Sequence, residues 1–143
     1  MKKFLKSFFS KLRGSFRSEQ RSEYQELARF ILSDRHFSKT KGVVKPGAFL
    51  PAKDGNLSVF GVDGLDRERI KKMGEQQVAQ KQNKSLKGSG IVDKSVPEDQ
   101  NLKVVVDNTP PRHVNITGWP VEKHEQKSLA LELAKECRLE IYD

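Results

Sequence analysis

The sequence has little cysteine and no long hydrophobic run. Cys137 is the single cysteine among 143 residues, so the chain forms no internal disulfide and offers no set of thiols for a metal. Its uncharged stretches are far shorter than the roughly 20 apolar residues that a membrane-spanning helix needs. These absences exclude an integral membrane span and favour a reducing compartment. We therefore expect a cytoplasmic protein, and any association with a membrane would be peripheral.

Histidine is also scarce, and its spacing argues against a metal. The three histidines are His36, His113 and His124. They show no His-x-x-x-His spacing, and the chain has no Cys-x-x-Cys pair, so the sequence predicts no metal site and no bound cofactor. His124 stands among charged residues and is expected on the surface. His36 and His113 therefore remain as the candidate catalytic histidines.

The positive charge of the chain is unevenly distributed. The net charge is +8, and residues 1–18 hold six of the 27 basic residues and none of the 19 acidic ones. The rest of the chain is therefore almost neutral, which weakens any interpretation of the whole fold as an electrostatic clamp for nucleic acid. Length and composition, with 35% hydrophobic and 32% charged residues, fit one lean domain over residues 19–143.

Residues 1–18 have the pattern of a basic amphipathic helix. At about 100° per residue, the large apolar side chains fall on one side and the six cations opposite them. The apolar residues are Phe4, Leu5, Phe8, Phe9, Leu12 and Phe16. Such a helix packs onto its own domain or a partner protein, or lies on an anionic membrane surface. A removable targeting peptide and a nucleic-acid contact are the remaining alternatives.

The remainder predicts an α+β domain with a small, mostly antiparallel sheet and two or three helices. Apolar spacing suggests a helix over 19–28 that gives way to a strand at 29, and a looped region with a strand at 47–50. A strand over 57–62 and a helix from Asp66 follow. Residues 76–101 are polar and are expected to form a flexible insertion that holds one short strand at 90–93.

The C-terminal third gives the clearest pattern. Residues 102–107 and 112–117 are β-branched segments separated by a proline-rich turn, which predicts an antiparallel pair. Pro120 can begin a helix over 121–138, and residues 139–142 fit a short edge strand. In the second strand of the pair, His113, Asn115 and Thr117 share one face, while Val114 and Ile116 share the other. A whole strand face is therefore polar.

The two remaining histidines lie in similar local sequences. Residues 35–38 read RHFS and residues 112–115 read RHVN, so each histidine has a polar residue two positions later. In a strand, these side chains point the same way and could hold a phosphate between two imidazoles, one as general base and one as general acid. The pattern is similar to that of the two-histidine phosphoesterases. The resemblance covers eight residues, and Asn115 stands where that family has a hydroxyl residue.

Cations and hydroxyls surround both motifs. Arg35, Lys39, Lys45 and Arg112 would neutralise an anionic ligand, and Ser38, Asn115 and Thr117 would orient it. The sequence thus predicts binding of a phosphate-bearing ligand, such as a nucleotide or RNA, with a metal-independent phosphoesterase or nuclease activity as its catalytic form. The alternative is a non-enzymatic adaptor that docks on a membrane or a partner protein through residues 1–18.

Overall fold

The computed structural model describes residues 21–143, so the predicted leader helix over residues 1–18 lies outside the described part. Its centre is a six-stranded antiparallel sheet. The six strands are β1 (Glu26–Ile31), β4 (Leu57–Gly61), β5 (Gly88–Asp93), β6 (Lys103–Val106), β7 (His113–Thr117) and β8 (Arg138–Ile141). They are arranged in the order β6-β7-β4-β1-β5-β8. A small hairpin is formed by β2 (Phe37–Ser38) and β3 (Val43–Val44).

Three α-helices accompany the sheet in the described part of the chain, namely α1 (Arg67–Gly74), α2 (Ser95–Asp99) and α3 (Lys123–Glu136). Asp66 caps the start of α1, because its carboxylate accepts the backbone N–H of Arg69. The chain continues beyond α1 as a π-helical turn, Glu75–Ala79, and a 3-10 turn, Gln80–Gln82. The α+β class and the mostly antiparallel sheet are therefore confirmed. None of the helices within 21–143 has the length and apolar character to cross a bilayer.

Each face of the sheet has its own hydrophobic core. On one face, Leu27, Val59 and Val114 pack beneath Leu133 of α3 and Phe49. On the other face, a smaller cluster forms around Phe30, Phe60 and Ile70, where α1 covers the sheet. We call this second side the α1 face. Burial on both faces explains why the central strands lack the simple alternation of a half-exposed strand.

The predicted helix over 19–28 is wrong across its described residues. Residues 26–31 form β1, which pairs with β5 over six residues, from Glu26 opposite Asp93 to Ile31 opposite Gly88. The apolar spacing of three and four that suggested a helix arises because Leu27 and Ile31 face one core while Ala28 and Phe30 face the other. A doubly buried strand and a buried helix share this pattern.

Two further segments differ from the sequence-based prediction. Residues 47–50 do not form a strand, since Pro46–Phe49 is a 3-10 turn that begins at its proline, where the fixed φ favours a helical start. Residues 88–92, placed within the predicted polar insertion, are buried in β5 between β1 and β8, so the short strand predicted at 90–93 is confirmed and begins two residues earlier. A solvated state is therefore wrong for this stretch. The other predicted strands, the helix from Asp66 and the C-terminal helix are confirmed within a few residues.

Candidate functional site

A cleft of about 250 Å³ opens on the α1 face, beside the end of the helical segment. The turns that follow α1 cover Phe30 and Phe60, but they leave the β7 and β6 side of this face open. The apolar walls of the cleft are Phe30, Phe60, Val78 and Pro110. Its polar lining consists of Arg29, Ser58, Gln77, Lys81, Gln82 and His113. Two cations and no carboxylate are among these lining residues.

The polar face of β7 meets this cleft at His113. The register of β4 and β7 sets Phe60 opposite His113 and Ser58 opposite Asn115, so all four side chains lie on the α1 face. The His113 ring lies edge-on to Phe60, with their centroids 5.3 Å apart. The side-chain alternation predicted for residues 113–117 is therefore present in β7, and the sheet register adds Ser58 of β4 to its polar face.

Ser58, His113 and Asp107 form a continuous hydrogen-bonded chain. The distance from Ser58 Oγ to His113 Nε2 is 2.7 Å, and that from His113 Nδ1 to Asp107 Oδ1 is also 2.7 Å. Partial burial acts to raise the pKa of Asp107, but hydrogen bonds from the Thr109 amide and His113 outweigh it and hold that pKa below its usual value. Asp107 is therefore an ionised acceptor. In the neutral ring, Nδ1 then carries the proton and Nε2 accepts the Ser58 hydroxyl.

Arg112 fixes the loop that brings Asp107 to His113. Its side chain is 3% exposed and donates from Nη1 to the carbonyls of Gly61 and Asp63, both at 3.1 Å. Its guanidinium lies 5.6 Å from the centre of the Tyr24 ring, and the Tyr24 hydroxyl donates to Asn108 Oδ1 at 2.8 Å. Arg112 therefore stabilises the loop from within the protein, a position from which it does not reach a ligand in the cleft.

Arg29 reaches the cleft through an opening between two strands. Direct pairing of β1 with β4 covers Leu27 and Ala28, and the strands then diverge. The Arg29 side chain fills the gap, with Nε donating to the Ala48 carbonyl at 2.8 Å and Nη1 to the Ser58 carbonyl at 3.0 Å. Burial lowers the pKa of this guanidinium, which still stays charged. Among the described residues, Nη2 has no partner.

His36 occupies a different environment from His113. It ends the 3-10 turn Asp34–His36, and its ring packs against Gly47. Within residues 21–143, His36 is not one of the residues that line the cleft. Burial, followed by the charges of Arg29 and Arg35, lowers the pKa of His36, so its ring is kept neutral. Of the two histidines predicted to share one ligand, only His113 is therefore among the residues that line the cleft.

The other predicted ligand-binding residues are divided between two regions. Asn115 and Thr117 lie on the α1 face next to the cleft, and the Asn115 amide is 3.5 Å from Asp107 Oδ2. Lys39 pairs with the carboxylate of Asp143 at 3.1 Å, and Ser38 accepts the backbone N–H of Lys41, so both belong to the β2–β3 hairpin. Arg35 and Lys45 are exposed beside that hairpin.

The protonation of His36 gives a testable prediction for stability. Because its pKa is lower in the folded protein than in the unfolded chain, the unfolded chain binds the proton more tightly. The free energy of unfolding should thus fall as the pH drops below about 6.5, and level off once the folded-state pKa is passed. Urea titrations at pH 7.5 and 5.5 measure this difference.

Replacing His36 by glutamine should flatten this pH dependence, whereas the exposed His124→Gln variant should keep the wild-type dependence. Equal dependence in the wild type and H36Q would show that His36 is not the group responsible.

Sequence reasoning missed Ser58, Asp107 and Lys81. Ser58 is one hydroxyl in an ordinary strand, and Lys81 lies in a polar stretch. The only signal in the sequence that could have indicated Ser58 is the presence of two predicted strands, 57–62 and 112–117, that are able to pair. A strand over 57–62 that paired with 112–117 would place Ser58 beside the polar face, but the sequence does not specify that pairing or its register.

Within residues 21–143, no group of three or more histidine, cysteine, aspartate or glutamate side chains is arranged to hold a metal ion. A scan against protein-family models, a search of curated proteins and a search of solved structures found no match to this chain.

Proposed function

We propose that the cleft on the α1 face binds a small ligand that carries a phosphate group. The observation that supports this most directly is the charge of the lining, which contains Arg29 and Lys81 without a carboxylate. Arg29 is held in place by two backbone carbonyls and keeps Nη2 for a ligand. A fixed guanidinium donor in a partly dry site is well suited to a phosphate oxygen.

The size of the cleft limits the ligand. A volume of about 250 Å³ is below the 300–1,000 Å³ typical of sites for drug-sized ligands. It accommodates a phosphate and a small adjoining group, while the rest of a larger molecule would lie along the open strand face of Asn115 and Thr117. A nucleotide or a strand end of RNA fits this arrangement, with its phosphate in the cleft.

Of the two histidines, the proposed site uses His113. His113 lines the cleft and is hydrogen-bonded on both ring nitrogens, whereas His36 packs against Gly47. The predicted pair of imidazoles is therefore replaced by one imidazole with a serine and an aspartate. Arg29, Lys81 and His113 are the residues that we propose contact the phosphate.

The test is a titration with inorganic phosphate and with a nucleoside monophosphate, followed by amide NMR shifts. We expect the amide shifts to centre on Ser58, Lys81 and His113. Lys81→Glu should weaken binding about tenfold, equivalent to about 1.4 kcal/mol, because it reverses a charge at the mouth of the cleft. Lys84→Glu makes the same change in net charge at an exposed position that does not line the cleft, and is the matched control.

Lys84→Glu should change the Kd by no more than about twofold, since exposed charges at a distance are screened by salt. Equal weakening by the two variants would show that only overall charge matters. Amide shifts confined to the β2–β3 hairpin would place the ligand at the other cationic region, and would contradict the proposed site.

A further inference from the structure

We infer that Ser58 is a nucleophile that attacks the phosphorus of a phosphate ester in this cleft, with His113 as its general base. The choice of phosphate ester as substrate rests on the function proposed above, but the activation of Ser58 stands on separate geometry. Ser58 Oγ is 2.7 Å from His113 Nε2, and the other ring nitrogen is 2.7 Å from Asp107 Oδ1. These are the contacts by which serine hydrolases of unrelated folds activate a hydroxyl.

The groups that support this chain of hydrogen bonds fix its direction. Asp107 Oδ1 also accepts the Thr109 amide at 3.0 Å, so the carboxylate is held in place by its own turn. The ring of His113 is held by Phe60. Because Nδ1–H is directed at the carboxylate, Nε2 is unprotonated and is placed to accept the proton of Ser58. Asp107 is a positioning residue, since it acts through His113.

A second serine in the same sheet shows what a purely structural arrangement looks like. Ser89 is fully buried, with its hydroxyl 2.8 Å from the Tyr142 hydroxyl, which in turn donates to Glu140 at 2.9 Å. Burial raises the pKa of Tyr142 to about 12, so the hydroxyl that contacts Ser89 stays protonated at neutral pH and does not act as its base. Ser58, in contrast, is exposed, lines a cleft and is bonded to an imidazole.

The reaction divides into two balanced steps. In the first, the Ser58 oxygen bonds to phosphorus, its proton passes to His113 Nε2, and the phosphorus–oxygen bond to the leaving alcohol breaks. The alcohol oxygen takes the proton from His113. In the second step, a water oxygen bonds to the phosphorus and gives a proton to His113, the bond between phosphorus and the Ser58 oxygen breaks, and Ser58 takes the proton back from His113 as phosphate leaves. Arg29 and Lys81 stabilise the charge on the phosphoryl oxygens.

The experiment is covalent labelling by an uncharged fluorophosphonate, measured by intact mass and peptide mapping on the full chain. Ser58 attacks the phosphorus and fluoride leaves, so one adduct should appear on Ser58 in the wild type. Ser58→Ala should remove it. His113→Gln and Asp107→Asn should slow labelling about 100-fold or more, the usual contribution of a positioned base. The labelling rate should depend on pH in the wild type and lose that dependence in His113→Gln, which a structural role would not produce.

Ser95→Ala is the matched control. Ser95 is an exposed serine whose hydroxyl bonds to Asp93 at 2.6 Å, with no histidine between them. Its loss should leave the labelling rate unchanged. Melting temperatures of all variants check that each one folds. If Ser58→Ala fails to fold, Ser58→Thr replaces it. This variant keeps a hydroxyl, but on a bulkier carbon, and should also label slowly.

The outcomes separate this inference from the proposed function. Phosphate binding without an adduct on Ser58 would overturn the nucleophile and leave the binding site intact. An adduct on Ser58 without phosphate binding would support the nucleophile and overturn the phosphate site. An adduct on another serine, or labelling of H113Q and D107N at the wild-type rate, would overturn the inference. Release of nitrophenol from 4-nitrophenyl phosphate by wild type and not by S58A would support the phosphate ester as substrate, and release from the acetate ester alone would overturn it.

Discussion

Gly61→Ala is expected to lower the free energy of unfolding by at least about 3 kcal/mol, because it places a methyl group inside a packed ring. A Cβ built on Gly61 overlaps the ring of Tyr24, which is 1% exposed. The clash involves the base of the ring, next to its own backbone, so a simple rotation does not relieve it. Movement of Tyr24 would also break its hydrogen bond to Asn108.

The direction of this effect is opposite to the general rule for strands. Replacing glycine within a strand by alanine normally gains about 0.5–1 kcal/mol, and the φ of Gly61 is not in the left-handed region. Gly55→Ala is the matched control, since its Cβ meets nothing within 4 Å and its positive φ of 86° should cost only about 1–2 kcal/mol. Urea unfolding measures both, and equal losses would rule out the contact with Tyr24 as the cause.

Arg112→Ala is expected to cost about 3 kcal/mol and to disturb the candidate site. Two hydrogen bonds from a charged donor to buried carbonyls contribute about 1.5–3 kcal/mol each, reduced by the desolvation of the charge. Arg112 also has a positive φ of 72°, a conformation that a bulky residue adopts only where its surroundings hold it. The loop that carries Asp107 should therefore loosen when the guanidinium is removed.

Two measurements check this second prediction. The free energy of unfolding gives the stability, and the Nδ1–H signal of His113 in the proton NMR spectrum reports its hydrogen bond to Asp107. In Arg112→Ala, the free energy of unfolding should fall and the Nδ1–H signal should weaken. The control Arg35→Ala removes an exposed arginine and should remain within about 0.5 kcal/mol of wild type with an unchanged signal. A stable Arg112→Ala with an intact signal would contradict the supporting role of this residue.

Both variants concern residues that the sequence does not distinguish. Gly61 looks like a strand end, and Arg112 looks like one more cation next to a histidine, which is why it was predicted to bind ligand. The local sequence around Arg112 is compatible with a side chain that points to solvent and with one that points to Tyr24. The backbone conformation at residue 112 decides between them, and that conformation depends on the contacts of the folded loop.

The amino-acid sequence alone predicts the α+β class, the strands around residues 57–62, 102–107 and 112–117, the helix that starts at Asp66, and the C-terminal helix. It also identified the polar face of β7. These features follow from local patterns, since side-chain alternation, capping and proline effects act over a few residues. The folded structure alone shows that the strand predicted from residue 29 begins at 26 and that 88–93 lies between β1 and β8, because apolar spacing does not separate a doubly buried strand from a helix. It also decided that Ser58, His113 and Asp107 form one hydrogen-bonded chain. That chain depends on the register of β4 with β7 and on a loop held by Arg112, which are long-range contacts without a local sequence signal.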